Sequence, residues 1–122
     1  MAKRTVIVGA PKTGKSTIAA RMGRKSRCTD DVRNEKSFSR GTSRVASWMD
    51  EDSYLIEGCV AAHGLRKWMN SNAGKPCDEV VYLERPRSHQ TARQKAMGKG
   101  IKKVFSEIEP ELRRRGVSVS RR

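Results

Sequence analysis

Three features of this 122-residue sequence predict an α/β fold, with a parallel sheet of about five strands and helices on both faces. Short apolar or β-branched runs alternate with stripes of helical period. The gaps between runs are long enough for crossover helices, which parallel neighbours require. The first run also ends directly in a glycine-bounded loop that leads into a helix.

The elements follow in order. Thr5-Val6-Ile7-Val8 is a β-branched run closed by Gly9, the pattern of a strand buried on both faces. Ser16 to Met22 reads as a helix with Ile18, Ala19 and Met22 on one side, ended near Gly23. A very short second strand is expected around Ser26 to Thr29. Asp31 to Thr42 is polar and reads as a mobile loop or frayed helix. Val45, Trp48 and Met49 then repeat at helical spacing.

Ser53-Tyr54-Leu55-Ile56 is the third strand, stopping at Glu57-Gly58. Leu65, Trp68 and Met69 mark the next helix, closed by the breaker-rich stretch Asn70 to Pro76. Val80-Val81-Tyr82-Leu83 is the fourth strand. Ile101, Val104, Phe105 and Ile108 form the clearest helical stripe. Pro110 is expected to open a separate last turn that Gly116 ends, before an edge strand at Val117-Ser118-Val119.

The length suits one domain over residues 1–122, with a thin core given 35% apolar and 33% charged residues. No run nears the ~18 apolar residues of a membrane span, and the N-terminus lacks the apolar length of a signal peptide. Cys28, Cys59 and Cys77 are odd in number and form no C-x-x-C pair, as expected of free thiols in a reducing cytoplasm. Cys59 and His63 stand four apart without a second ligand pair, which argues against zinc. Lys and Arg number 27 against 13 Asp and Glu, a net charge of +14. Residues 85–103 hold seven basic side chains and no acid. Such a field attracts phosphates, on nucleotides, nucleic acid or another anionic substrate.

The sharpest chemical signal is Gly9-Ala10-Pro11-Lys12-Thr13-Gly14-Lys15-Ser16, followed by Thr17. It satisfies G-x-x-x-x-G-K-[ST] at every specified position, between a strand and a helix. Gly9 and Gly14 allow successive backbone N–H groups to converge on a phosphate. Lys15 is expected to reach the β- and γ-phosphates of ATP or GTP, and the Ser16 hydroxyl to bind Mg²⁺. This is the phosphate-binding P-loop, and the predicted fold is the three-layer P-loop NTPase fold. No N-K-x-D or T-K-x-D guanine signature accompanies it.

Beyond this loop the chain resembles the nucleotide, polynucleotide and small-molecule kinase branch of the P-loop proteins. The matching pieces are Gly9 to Thr17, Thr29-Asp30-Asp31, Tyr54 to Gly58, and Val80 to Lys103. The resemblance implies an acceptor-facing acid at Asp30 or Asp31; adjacent acids also simply cap helix starts. It implies a Walker B role for Glu57, holding Mg²⁺ through water, against the plainer reading of a structural carboxylate. It implies a lid-like segment over about 85–103, with Arg87 and Arg93 as charge stabilisers, and acceptor binding by Arg40 and Arg44. The chain is short for this branch, so a small acceptor, a site shared in a homo-oligomer, or a protein that keeps only the nucleotide site is expected.

Two functions follow. One is a kinase moving the γ-phosphate of Mg·ATP to a nucleotide, a nucleic-acid end or a small hydroxyl acceptor. The other is a nucleotide-dependent nucleic-acid-binding or regulatory ATPase that uses the basic surface. Residues 85–103 carry no aromatic side chain, which argues against single-strand binding there.

Overall fold

The computed structural model describes residues 4–32 and 37–122, the Asp31 side chain excepted. Five strands form one parallel sheet: β1 (Arg4–Gly9), β2 (Arg27–Cys28), β3 (Tyr54–Gly58), β4 (Glu79–Leu83) and β5 (Ser118–Arg121). Their spatial order is β2-β3-β1-β4-β5, with β1 paired on both sides. Four helices alternate with them: α1 (Lys15–Arg21), α2 (Phe38–Trp48), α3 (Ala61–Ser71) and α4 (Ala92–Arg114). A 3₁₀ turn at Thr29–Val32 follows β2.

The period-2 alternation of β1, β3 and β4 decides which helix covers which face. Val6, Val8, Tyr54, Ile56, Val80 and Tyr82 enter the larger cluster with residues of α2, α3 and α4. Ile7, Leu55, Val81 and Leu83 meet Ile18 and Ala19 of the short α1. The helices are therefore on both faces, three against one. Phe105, fully buried on α4 and stacked on Tyr82 with ring centroids 4.4 Å apart, contributes roughly 2–3 kcal/mol through burial.

Two local readings are corrected. Helix α4 runs unbroken for 23 residues through Pro110, which therefore opens no separate turn. Pro110 is exposed, so the carbonyl it leaves without an amide partner can face water. Ile108 and Leu112, both buried, hold the helix to the core on either side. The helix ends in a Schellman pattern: Gly116 N–H donates to Arg113 O, and Val117 N–H to Leu112 O. Its start is a capping box between Thr91 and Gln94.

The second correction concerns the polar stretch 31–42. Residues 33–36 of it lie outside the described residues, but Phe38 to Thr42 is regular helix, capped by Ser37, which accepts from Arg40 N–H at 3.1 Å. Gly41 and Thr42 are buried there despite their small or polar character, with Gly41 lying close against Val32.

Candidate active site

The loop after β1 leaves the sheet at its centre, at the carboxyl ends of the strands, where ligands of open α/β sheets collect. Lys12 and Gly14 have positive φ values of 68° and 89°, which fold the loop tightly. The Ala10 carbonyl accepts from both Thr13 Oγ1 at 2.8 Å and Lys15 Nζ at 2.6 Å. The Lys15 side chain is thus folded back onto the loop it leaves, and the residue is only 9% exposed.

The segment before α4 is strapped to this loop. Arg87 N–H donates to Lys12 O at 2.6 Å, and Gln90 Nε2 donates to Pro11 O at 2.6 Å. The Arg87 side chain lies so near Gly14 that a Cβ there would stand 3.0 Å from Arg87 Cδ. Gln90 is 8% exposed and joins the site without any sequence pattern that singled it out. Its signal, a buried amide facing a loop carbonyl, exists only in three dimensions.

The acidic side is built by β2 and β3. Glu57 is 3% exposed and accepts from Ser16 Oγ at 3.4 Å. Burial, then the bond of the Cys28 thiol to Glu57, pushes that thiol up to about 12. Burial also raises the Cys59 thiol, an effect opposed by the nearby Lys15 ammonium. Thr29 Oγ1 accepts from Val60 N–H at 3.2 Å, pinning the end of β2 to the turn after β3. That contact leaves no room for a side chain at Gly58, which sits at φ 142°. Ser16 and Glu57 are two hard oxygen donors side by side, which suits a Mg²⁺ that keeps most of its waters and binds phosphate oxygens. Among the described residues no group of three or more His, Cys, Asp or Glu gathers as a metal cluster.

These parts open on one cleft of about 800 Å³. Pro11, Lys12, Gly14, Lys15, Ser16 and Thr17 line it from the loop, with Asp30 and Glu57 from the sheet ends. Gly9, Ala10 and Thr13 shape the loop from behind. Asp31 shares the 3₁₀ turn with Asp30, and its side chain lies outside the described residues. Arg87 borders the loop, whereas Arg93 is exposed in the first turn of α4, outside the cleft lining. Arg40 and Arg44 are exposed on α2 and do not line the cleft either; Ser37, Phe38 and Gly41 do. The far wall adds Val32, Val60, His63, Met97 and Ile101, side chains that no sequence motif brought together.

A parallel sheet of this order, with a P-loop after its central strand and a helical segment strapped to that loop, is the fold of the P-loop kinases. Among solved structures the chain is similar to shikimate kinase from Acinetobacter baumannii in complex with shikimate. The TM-score is 0.52 at 16% identity, over 95% of this chain and 81% of that one. At that identity the likeness speaks for the fold alone. No protein-family model matches the chain, and no curated protein matches it. Among the described residues no helix is long and apolar enough to cross a membrane.

Proposed function

We propose that residues 1–122 form one phosphotransferase domain that moves the γ-phosphoryl group of Mg·ATP to a hydroxyl acceptor held in the same cleft. The observation that carries this reading is the convergence of Lys15, the Ser16–Glu57 pair and Asp30 on one cleft beside a P-loop. The backbone N–H groups of Lys12 to Ser16 cradle the β- and γ-phosphates, and Lys15 exchanges the Ala10 carbonyl for phosphate oxygens. Ser16 and Glu57 would hold Mg²⁺, which would supply charge neutralisation on the triphosphate.

In the transfer step the acceptor oxygen forms a bond to the γ-phosphorus as the bond from that phosphorus to the β,γ-bridging oxygen breaks. The electron pair leaves with ADP, and the acceptor hydroxyl proton goes to the Asp30 carboxylate. Arg87, lying against Gly14, is the arginine best situated to meet charge on the transferring group. Arg93, Arg40 and Arg44 stand outside the lining. The reading places the work in the cytoplasm, where the three thiols stay reduced.

ADP release from Mg·ATP across nucleosides, nucleotides, oligonucleotide 5′ ends and small hydroxyl compounds tests it. One acceptor class is expected to stimulate release, and Asp30→Asn to remove about a hundredfold or more of that stimulation with ATP binding kept. Stimulated turnover left untouched by Asp30→Asn, Asp31→Asn and the double variant would sink the acceptor-acid assignment.

A further inference from the structure

Helix α4 carries its charges in two different ways. In its C-terminal half every acid has a partner: Glu107 pairs with Arg66, Glu109 with Arg113 and Arg121, and Glu111 with Arg114 and Arg115. Its N-terminal half has no acid of its own. From Arg85 to Ser106 the chain contains none, and all of these residues are described. Lys95, Lys99, Lys102 and Lys103 are exposed, and among the described residues none of them forms an ion pair.

The four lysines share one face. At 100° per residue they fall within about 100° of arc, opposite the buried Ile101, Val104, Phe105 and Ile108. Lys95, Lys99 and Lys103 follow one another at i, i+4 and i+8, about 6 Å apart along the axis. Like charges at that spacing repel and weaken a helix, and these stand toward the positive end of its dipole. The first turn of α4 holds no acid to offset them. The helix by itself gains nothing from this arrangement, whereas a polyanion laid along it removes the repulsion.

The shape and surroundings of the stripe select the polyanion. The cleft-lining positions of α4 are Gln94, Met97, Gly100 and Ile101, so the lysines lie on the outer side of that wall. Residues 85–103 hold no aromatic ring on which an unpaired base could stack, which leaves recognition to a phosphate backbone. A membrane-surface helix presents apolar side chains beside its lysines, but the apolar stripe of α4 is buried in the core. Duplex RNA is gripped partly through its 2′-hydroxyls, and residues 95–103 offer no hydroxyl or amide side chain. Duplex DNA carries one charge per ~1.7 Å of its axis, so a stripe of about 12 Å meets several phosphates at once.

We propose that this face of α4 is a docking surface for duplex DNA, held through its phosphates without regard to sequence. The surface is independent of the phosphotransfer step, and DNA seated on it leaves the cleft open to Mg·ATP.

The test uses the full 122-residue chain with Mg²⁺ and a non-hydrolysable ATP analogue bound. Fluorescent duplex DNA of two unrelated sequences is followed by anisotropy from about 50 to 200 mM salt. Both sequences are expected to bind alike and to weaken about a hundredfold over that range, as about four phosphate contacts imply. Lys95→Gln/Lys99→Gln is expected to lower affinity at least tenfold, and to make the slope of log K against log salt shallower by about two. Lys25→Gln/Lys75→Gln removes equal charge from exposed positions elsewhere and is expected to leave the slope alone. Lys99→Glu turns two repulsive spacings into attractive ones. It is expected to remove DNA binding while raising the thermal midpoint by about 2–5 °C.

No duplex binding at the lowest salt overturns the proposal, and so does a slope that changes equally in the two double variants. Tighter binding of single strands, duplex RNA, polyglutamate or phosphatidylserine vesicles gives the stripe to another partner and overturns it too. DNA that displaces the ATP analogue would have its phosphates in the P-loop rather than on α4, which refutes the surface. A lower midpoint in Lys99→Glu would make that lysine part of the fold's own support, with the same consequence. ADP formation is read separately, so loss of the DNA surface leaves the phosphotransferase reading standing, and the reverse holds as well.

Discussion

Gly58→Ala probes the joint that sets the acidic side of the cleft. A Cβ at Gly58 would fall 1.9 Å from Thr29 Oγ1, 2.9 Å from Thr29 Cβ and 3.0 Å from Thr29 N, at a φ of +142°. Rotating the hydroxyl away does not resolve the clash, because two further Thr29 atoms remain close. Three costs then combine. Holding a non-glycine residue at this φ costs about 1–3 kcal/mol. Loss of the Val60 N–H to Thr29 Oγ1 bond costs about 1 kcal/mol. The overlap itself costs about 1–3 kcal/mol. The sum, about 3–7 kcal/mol, is a large part of the 5–15 kcal/mol typical of a domain, about 12–28 °C in thermal midpoint. Gly74→Ala is the control: its φ is +85°, nothing lies within 4 Å of the added methyl, and about 1–2 kcal/mol is expected. Urea unfolding of both variants, of Thr29→Ala, and of the Gly58→Ala/Thr29→Ala pair reads these terms. The pair is expected to lose about 1–2 kcal/mol less than the sum of its singles. Equal losses in Gly58→Ala and Gly74→Ala, or strict additivity, would show that the Thr29 contact does not govern this turn.

Three other outcomes are expected. Gln90→Leu leaves the Pro11 carbonyl without its 2.6 Å partner and should lower Mg·ATP affinity about tenfold, at a stability loss of about 1 kcal/mol; unchanged affinity would detach the strap from nucleotide binding. Glu57→Gln should raise the Mg²⁺ concentration for half-maximal ADP formation about tenfold or more, and an unchanged requirement would leave Glu57 a structural carboxylate. Burial pushes the Cys77 thiol up to about 12, against ~8.5 in an unfolded chain. Between pH 9 and 10 the unfolded chain therefore releases this proton and the folded chain keeps it, so stability falls as pH rises. The loss from this thiol is about 1 kcal/mol over that unit, and Cys77→Ala should make the stability–pH slope shallower by that amount. An identical slope in the variant would mean that Cys77 titrates alike in both states.

The parts of the fold that rest on local chemistry were readable from the residues. Thr5 to Val8, Gly9 to Ser16 and Ile18 to Met22 signal strand, loop and helix within one short stretch, and the sheet builds outward from that unit. The two-residue β2 has almost no pattern to read, because an edge strand this short presents only Arg27 and Cys28. The start of α2 was obscured because Gly41 and Thr42 pack through smallness rather than hydrophobicity. Pro110 misled because proline signals a break, while the packing of Ile108 and Leu112 overrides it.

The donor half of the cleft was similarly legible, since one contiguous motif supplies most of it. The far wall was not. Phe38, His63 and Met97 come from three different helices, and only the packing of α2, α3 and α4 over one sheet face brings them to one opening. Arg40 and Arg44 were implied by the resemblance, whereas the cleft lining at the start of α2 is formed by the N-cap Ser37 with Phe38 and Gly41.

Transfer of labelled γ-phosphate from Mg·ATP to an acceptor, followed as a new phosphate ester, tests the central claim most directly. The account predicts label in the ester with the native chain, with Lys15→Ala reducing it at least a hundredfold. Label appearing only as inorganic phosphate, whatever acceptor is present and at the same rate in Lys15→Ala, would contradict it.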